Sequence, residues 1–379
     1  MRRLLPLLCG LLLAACGQRA ARPIGDFTLP VYTPRYASGF EIPGAAGSRS
    51  TLVTVHNPWY GDEVTDQYLF IARDGEPAPA GFEGQVLRDE ARRVVCMSGS
   101  YIAMLDALGA ADRVVGVSGA QYLINETLRR RIARGEAADV GFDSNVDFER
   151  LMALRPDLVM LFGIGGADTA LTGKLRELGI PYLYMGEHCE ESPLGKSEWV
   201  VVAAEIAGLR TEGSRLFAAI PERYERLRAL AQQTAARPRV MLNTPYRDTW
   251  FMPARNSYMV RLLEDAGARY VFEENTATQT LPIDIEQAYY LTSKSDFWLN
   301  VSGCNTLDEV RRQNPRLADT PPVREGRVYD NNRRRNAAGG SDFWESGVLR
   351  PDRVLADLVH IFHPELSETD ELYYYRQLE

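Results

Sequence analysis

Between Ser197 and Ala236 apolar residues recur at Leu216, Phe217, Ile220, Tyr224, Leu227, Leu230 and Ala231, the spacing of one helical face. The stretch reads as helix nearly throughout. The part from Glu212 to Ala236 alone would be roughly 37 Å long at about 1.5 Å per residue, enough to run from one domain to another. Pro221 is the irregular position, because an interior proline kinks or restarts a helix. On either side, short apolar runs alternate with helix-period stretches. Upstream the strand-like runs are 94–97, 114–117, 158–162 and 182–185, with helices over 98–108, 148–154 and 169–178 between them. Downstream the strands are 239–242, 270–272, 297–300 and 328–329, with helices over 258–266, 285–291, 307–313 and 353–362.

Strand, helix, strand at this spacing means right-handed crossovers and largely parallel sheets. The pattern therefore predicts an α/β protein: two Rossmann-like lobes joined by a long bridging helix, with a ligand cleft between them. The lobes span 93–196 and 237–379, and the bridge 197–236. The halves echo each other. Leu105-Asp-Ala-Leu-Gly109 parallels Leu263-Glu-Asp-Ala-Gly267, and Val146-Asp147-Phe148-Glu149 parallels Ile283-Asp284-Ile285-Glu286. Each acidic pair precedes a helix and then a strand introduced by Asp157 or Asp296. Before Arg93 the rhythm is absent. Residues 38–92 hold the strand-like runs 51–56 and 67–72 around the turn Asn57-Pro58-Trp59-Tyr60-Gly61-Asp62, which predicts a small antiparallel β extension. Trp59 and Tyr60 read either as a lid on a ligand or as the extension's own core. Residues 17–37, rich in proline, glycine and arginine, read as a tether.

The 379-residue chain is long enough for two domains. Its net charge of -8 argues against a nucleic-acid partner, which would require a basic surface. The N-terminus is a processing segment: Arg2 and Arg3 precede the apolar run 4–15, which is shorter than the ~20 residues that span a bilayer. Its end, Leu13-Ala14-Ala15-Cys16, resembles the bacterial lipobox. That resemblance implies cleavage before Cys16 and lipidation of Cys16, with residues 1–16 as a lipoprotein signal peptide; the alternative is a plain signal peptide. Cys96, Cys189 and Cys304 then remain, too widely spaced for a metal-ligand pattern.

In parallel α/β sheets ligands bind beyond the carboxyl ends of the strands. Residues there, or in the loops that follow, supply the ligand candidates: Ser100, Tyr101, Tyr122, Tyr246, Arg247, Trp250, Arg255, Tyr258, Arg333 and Trp344. Aromatic planes with arginine forks suit a large flat or anionic chelate. No nucleophile–base–orienter set stands out, so no catalytic residue and no resident cofactor are expected. Ser98-Gly-Ser100 is not a G-x-S-x-G elbow. Histidine is limited to His56, His188, His360 and His363, which favours a metal already wrapped in an organic ligand. A rival arrangement would bind a bare ion through His188 with Glu187, Glu190 and Glu191.

Three further stretches carry a family likeness. Leu105-x-x-Leu108-Gly109-x-x-Asp112-Arg113-Val114-Val115-Gly116-Val117 resembles the cobalamin- and ferric-siderophore-binding class of periplasmic binding proteins. So do Phe148-Glu149-Arg150-Leu151-x-x-Leu154-x-Pro156-Asp157-Leu158-Val159 and Lys174-Leu-x-x-Leu178-Gly179-Ile180-Pro181. The resemblance implies the lipid-anchored, periplasm-facing receptor of an ATP-driven importer. Its cargo would be an iron complex (siderophore or haem) or a corrinoid, and its partners an ABC permease and ATPase. It further implies that one glutamate per lobe, Glu149 and Glu286, meets arginines of the permease. The alternative role for each is a first-turn glutamate favoured by the helix dipole. An enzyme built on the same lobes is a further rival.

Overall fold

The computed structural model describes residues 21–59, 65–163, 166, 169–247, 249–277, 279–367 and 371–379. Cys16 lies outside the described residues. An N-terminal sheet holds β1 (Leu29–Tyr32), β2 (Phe40–Gly44), β3 (Thr51–His56), β4 (Asp66–Ala72) and β5 (Gln85–Arg88) in sequential order. All pairings are antiparallel except β4 with β5, which is parallel. Ile42, Val53, Val55, Leu69 and Ile71 join the main core. Phe27, Leu52 and Phe70 form a small cluster of their own.

The extension begins inside the stretch read as a tether, and the reason is electrostatic. Two buried carboxylates from distant sequence collect its backbone donors. Glu198 accepts from the Tyr32 hydroxyl (2.7 Å) and from the N–H groups of Arg35 (2.8 Å), Tyr36 (2.8 Å) and Ala37 (2.7 Å). Glu190 accepts from the N–H groups of Ser38 (3.1 Å) and Gly39 (2.9 Å) and from Trp199 Nε1 (2.9 Å). Of the turn at 57–62, Trp59 is buried with its ring edge-on to Tyr184 at 5.5 Å; Tyr60 lies outside the described residues.

The first lobe is a parallel sheet of β6 (Val94–Cys96), β7 (Val114–Val117), β8 (Ala138–Asp139), β9 (Leu158–Phe162) and β10 (Tyr182–Met185), ordered β10-β9-β6-β7-β8. Helices α1 (Gly99–Ala107), α2 (Glu126–Ala133), α3 (Phe148–Leu154) and α4 (Ala170–Leu178) connect its strands. Three helices follow: α5 (Pro193–Glu198), α6 (Val200–Ile206) and α7 (Arg210–Ala231). The second lobe's main sheet holds β11 (Arg239–Leu242), β14 (Arg269–Tyr270), β16 (Phe297–Leu299), β17 (Val328–Asp330) and β18 (Arg376–Gln377), ordered β14-β11-β16-β17-β18 with only β18 antiparallel. A side sheet pairs β12 (Pro245–Tyr246), β13 (Thr249–Met252) and β15 (Leu281–Ile283). The lobe's helices are α8 (Tyr258–Asp265), α9 (Ile285–Ser293), α10 (Leu307–Gln313), α11 (Pro321–Arg324), α12 (Asp342–Glu345) and α13 (Pro351–Phe362).

The internal repeat is exact at the level of sheet order: β10-β9-β6-β7 in one lobe matches β17-β16-β11-β14 in the other. Local chemistry repeats with it. Gly109 and Gly267 both take positive φ (72° and 80°) to end α1 and α8. Ala110 N–H then reaches Leu105 O (2.8 Å), and Ala268 N–H reaches Leu263 O (2.9 Å), the six-to-one bond of a Schellman ending. Asp157 accepts from Arg93 N–H (2.8 Å) and Asp296 from Arg239 N–H (2.7 Å), so each clips the start of its lobe's first strand.

The bridge differs from the single helix expected over 197–236. Gly208 (φ 68°) ends the helical path after Ala207 and turns the chain back. Gly213 lets α7 lie directly on α6, since a Cβ there would sit 2.3 Å from the Ala204 Cβ. The element that reaches the second lobe is α7, about 33 Å long. Tyr224 on α7 donates to Asp265 of α8 (2.7 Å), and Arg223 to Asp352 of α13 (2.7 Å). Pro221 sits inside α7 without ending it.

Candidate functional site

The carboxyl ends of the two sheets face each other, as polar contacts across the lobes show. After β7, the carbonyls of Gln121 and Leu123 accept from Asn336 Nδ2 (2.9 and 3.1 Å). The Glu345 carboxylate accepts from the N–H groups of Ile124 (2.9 Å) and Asn125 (2.6 Å). After β10, Glu191 accepts from Asn256. Gly340 packs so tightly on Tyr122 that a Cβ would lie 1.7 Å from the Tyr122 carbonyl oxygen. The cleft lies between strand ends tied in this way.

On the first lobe, Tyr122 stands on the 3-10 turn after β7 with 47% of its surface exposed, and its ring lies 6.3 Å from that of Phe142. Gly119 takes positive φ (64°) just before it, which turns the chain across the strand end. On the second lobe, the β12–β13 hairpin follows β11. It presents Tyr246, 67% exposed, with the Arg247 guanidinium 5.4 Å from its ring. Arg247 itself has φ 56°, a left-handed position that holds the hairpin tip. Aromatic rings therefore stand beyond strand ends of both lobes, one beside a cation.

The other sequence candidates lie elsewhere. Ser100 is buried and donates to Glu187 Oε1 (2.8 Å). Tyr101 is fully buried and donates to Leu161 O (3.2 Å); it belongs to the core rather than the ligand face. Trp250 is likewise buried: its ring lies 5.6 Å from that of Trp298 and its Nε1 donates to Leu242 O (2.9 Å). It was read as a loop residue, but it is a strand residue whose side chain points inward from β13. Arg255 pairs with Glu264 (3.0 Å). Tyr258 lies under the Lys196 ammonium, 4.2 Å from its ring centroid, at the junction of α5 and α8. Arg333 faces Glu371 (3.5 Å). Trp344, 53% exposed, stands on α12 edge-on to Phe343 at 4.8 Å. Phe142, Asn336, Gly340 and Glu345 join the site without having been singled out; the adjacent glycines Gly339 and Gly340 are the sequence signal that could have marked the close backbone approach.

The buried polar floor of the first lobe is shared out among fixed partners. Burial alone would lower the His188 pKa, yet hydrogen bonds with Cys189 and Glu187 hold it at about 9. Its Nε2 lies 2.9 Å from Gly163 O and its ring 4.3 Å from that of Phe162. Glu187 serves Ser100, Glu190 the extension, and Glu191 the opposite lobe. Of the four residues of the bare-ion arrangement, His188 and Glu187 adjoin each other, while Glu190 and Glu191 are drawn away to separate partners. Among the described residues no group of three or more His, Cys, Asp or Glu is placed to hold a metal ion, and no helix is long and apolar enough to cross a membrane.

Glu149 and Glu286 occupy the same slot of equivalent helices at the strand carboxyl ends. Asp147 caps α3 by accepting from Arg150 N–H (2.9 Å), and Asp284 caps α9 by accepting from Gln287 N–H (2.8 Å). Each glutamate is the second residue of its helix and is exposed. Glu286 meets Arg316 at 2.8 Å.

Two repeated α/β lobes, a helical connector and a cleft between facing strand ends define a two-lobed solute receptor. The chain belongs to the periplasmic binding protein family, whose profile matches residues 94–333; the N-terminal sheet falls outside that span. Over 332 residues it is 25% identical to an uncharacterised lipoprotein of Methanocaldococcus jannaschii, covering 82% of this chain and 77% of the relative. A periplasmic haem-binding protein from Pseudomonas aeruginosa superposes with a TM-score of 0.58 at 20% identity, over 76% of this chain and 98% of that one. An ABC-type Fe3+-hydroxamate transport protein from Saccharomonospora viridis gives 0.53 at 17% identity, over 72% and 94%. At such identities the structural likeness establishes the fold. The family comprises periplasmic solute-binding proteins of ABC transporters.

Proposed function

We propose that the protein is the substrate-binding lipoprotein of an ABC importer for an iron complex, a ferric siderophore or haem, with a corrinoid as the related alternative. The observation that carries this reading is the pair of exposed aromatic groups at facing strand ends: Tyr122 with Phe142, and Tyr246 with Arg247. Flat rings stack on a planar or aromatic chelate, and a guanidinium fork takes its carboxylates or other anionic oxygens. The haem-binding and hydroxamate-transport neighbours support the same class of cargo. The chain captures its cargo and does no chemistry on it. Glu149 and Glu286 orient it on the permease, and a lipidated Cys16 holds it at the cell envelope, facing the periplasm.

The test is a titration of the chain begun after Cys16 with haemin, several ferric siderophores, cobalamin and bare iron, zinc and manganese salts, followed by tryptophan fluorescence. Saturable quenching by one complex at submicromolar concentration, weakened at least tenfold by Tyr122→Ala and by Tyr246→Ala, is expected. A response to a bare ion alone would overturn the reading.

A further inference from the structure

The two rim helices match beyond their glutamates. The exposed residues of α3 are Glu149, Arg150, Met152 and Ala153; those of α9 include Glu286, Gln287, Tyr289 and Tyr290. On a helix of about 100° per residue, the position three after each glutamate lies roughly 60° to one side and the position four after it roughly 40° to the other. Met152 (44% exposed) and Tyr289 (50%) therefore share one slot, and Tyr290 (56%) flanks Glu286 on its other side. The opposite faces are buried, through Leu151 on α3 and through Ala288 and Leu291 on α9. The aspartate caps fix both first turns, so each glutamate and its apolar neighbour are held as a rigid pair.

A single exposed apolar side chain needs no explanation. The same slot filled twice, in two lobes whose sequences differ at most other positions of these helices, does. An exposed carboxylate governs encounter and orientation more than affinity. Affinity requires apolar surface that loses water at the centre of the contact, and Met152 and Tyr289 are the groups placed to supply it; Tyr290 beside them carries the Lys294 ammonium 4.0 Å from its ring centroid.

We propose that Met152 and Tyr289 are the apolar anchors of docking. Each inserts beside its glutamate into a slot that pairs a cationic side chain with an apolar pocket. The partner is a membrane permease that presents this slot twice, related by two-fold symmetry. The inference rests on the reading of Glu149 and Glu286 as docking residues. The doubling follows from the repeat itself, because two equivalent patches on one receptor call for two equivalent counter-surfaces. A second copy of this chain is a poor occupant. It would set glutamate against glutamate, and the nearby arginines are engaged: Arg150 with Asp147 (3.6 Å) and Arg316 with Glu286 (2.8 Å).

The experiment uses the full-length chain in the membranes of its source organism, with p-benzoylphenylalanine placed at Met152 or at Tyr289, followed by irradiation and mass spectrometry of the adducts. Growth on haemin and on ferric siderophores as sole iron supply is measured in parallel for Glu149→Ala with Glu286→Ala. The expected result is an adduct from both positions with the same polytopic membrane protein, lost in the double glutamate background. Met152→Ser with Tyr289→Ser should lower uptake at limiting receptor at least tenfold while binding in the cleft is unchanged. Adducts confined to copies of this chain or to a soluble protein, or formed from one position alone, would overturn the proposal. If the double glutamate variant loses growth while neither position cross-links, the anchors are wrong and the docking glutamates stand. If it grows normally, the docking reading fails first.

Discussion

Gly340→Ala tests the way the lobes meet. The new Cβ would lie 1.7 Å from the Tyr122 carbonyl oxygen, 2.6 Å from its carbon and 2.8 Å from its Cα. All three are backbone atoms, so no rotamer change relieves the clash, and the loop carrying Gly340 must withdraw by about 2 Å to restore an ordinary contact. Asn336 in the same loop then moves out of reach of Gln121 O and Leu123 O, which it now meets at 2.9 and 3.1 Å. Two neutral hydrogen bonds at about 0.5–1.5 kcal/mol each give a loss of about 1–3 kcal/mol. At about 2.1 cal/mol/K per residue the chain's unfolding entropy is about 0.8 kcal/mol/K, so calorimetry should show Tm lowered by about 1–4 °C. The sharper assay is a double-mutant cycle. Asn336→Ala should destabilise the native chain but cost markedly less once Gly340→Ala has parted the same bonds. Additive losses, or an unchanged Tm for Gly340→Ala, would refute the close approach of the lobes at this point.

Other consequences follow from single groups. Burial pushes the Glu345 carboxyl up to about 7 against two backbone N–H donors from the first lobe. From the ordinary 4.5 to about 7 the folded state holds the proton more tightly than the unfolded one, so this group's contribution to stability falls as pH rises through that window, by at most about 3 kcal/mol. Glu345→Gln should flatten this part of the stability–pH profile, measured by urea titration at several pH values. Glu198→Ala strips the acceptor from three backbone N–H groups and the Tyr32 hydroxyl. At about 1–3 kcal/mol per stranded buried donor it should cost more than about 3 kcal/mol and expose residues 32–39 to limited proteolysis. Arg316→Ala frees Glu286 from an exposed ion pair worth about 1 kcal/mol or less. Receptor–permease association measured by surface plasmon resonance should strengthen, by up to about fivefold, rather than weaken.

The parts legible in the sequence were those written locally. The glycine endings of α1 and α8 and the aspartate caps of α3 and α9 each act within a few residues of a helix end; Asp157 and Asp296 stood out by their repeated place before a strand, while the strand starts that they clip lie 64 and 57 residues away. The two-lobe architecture and its repeat could therefore be read from spacing. The bridge was drawn too long because Gly208, one glycine in an apolar helical stretch, reverses the chain only when α6 and α7 have each other to pack on. The tether reading failed because the donors of residues 32–39 are satisfied by carboxylates more than 150 residues away. Trp250 looked like a rim aromatic because in a short strand one residue of register decides which side of the sheet a ring takes, and Tyr101 because it follows a strand end closely, although it sits on the buried side of α1. The strap from Glu345 to Asn125 joins residues 220 apart, and no spacing rule reaches that far.

The central claim is that one ligand is held between the lobes by both strand-end clusters. Hydrogen exchange read by mass spectrometry, with and without the complex that binds in the titration, tests it most directly. The account predicts that protection rises together in 118–124 and 142–147 of the first lobe and in 243–252 of the second. The groove between α7 and α13, lined by Arg226, Leu227, Arg353 and His360, should stay unchanged. Protection confined to one lobe, or appearing in that groove, would contradict it.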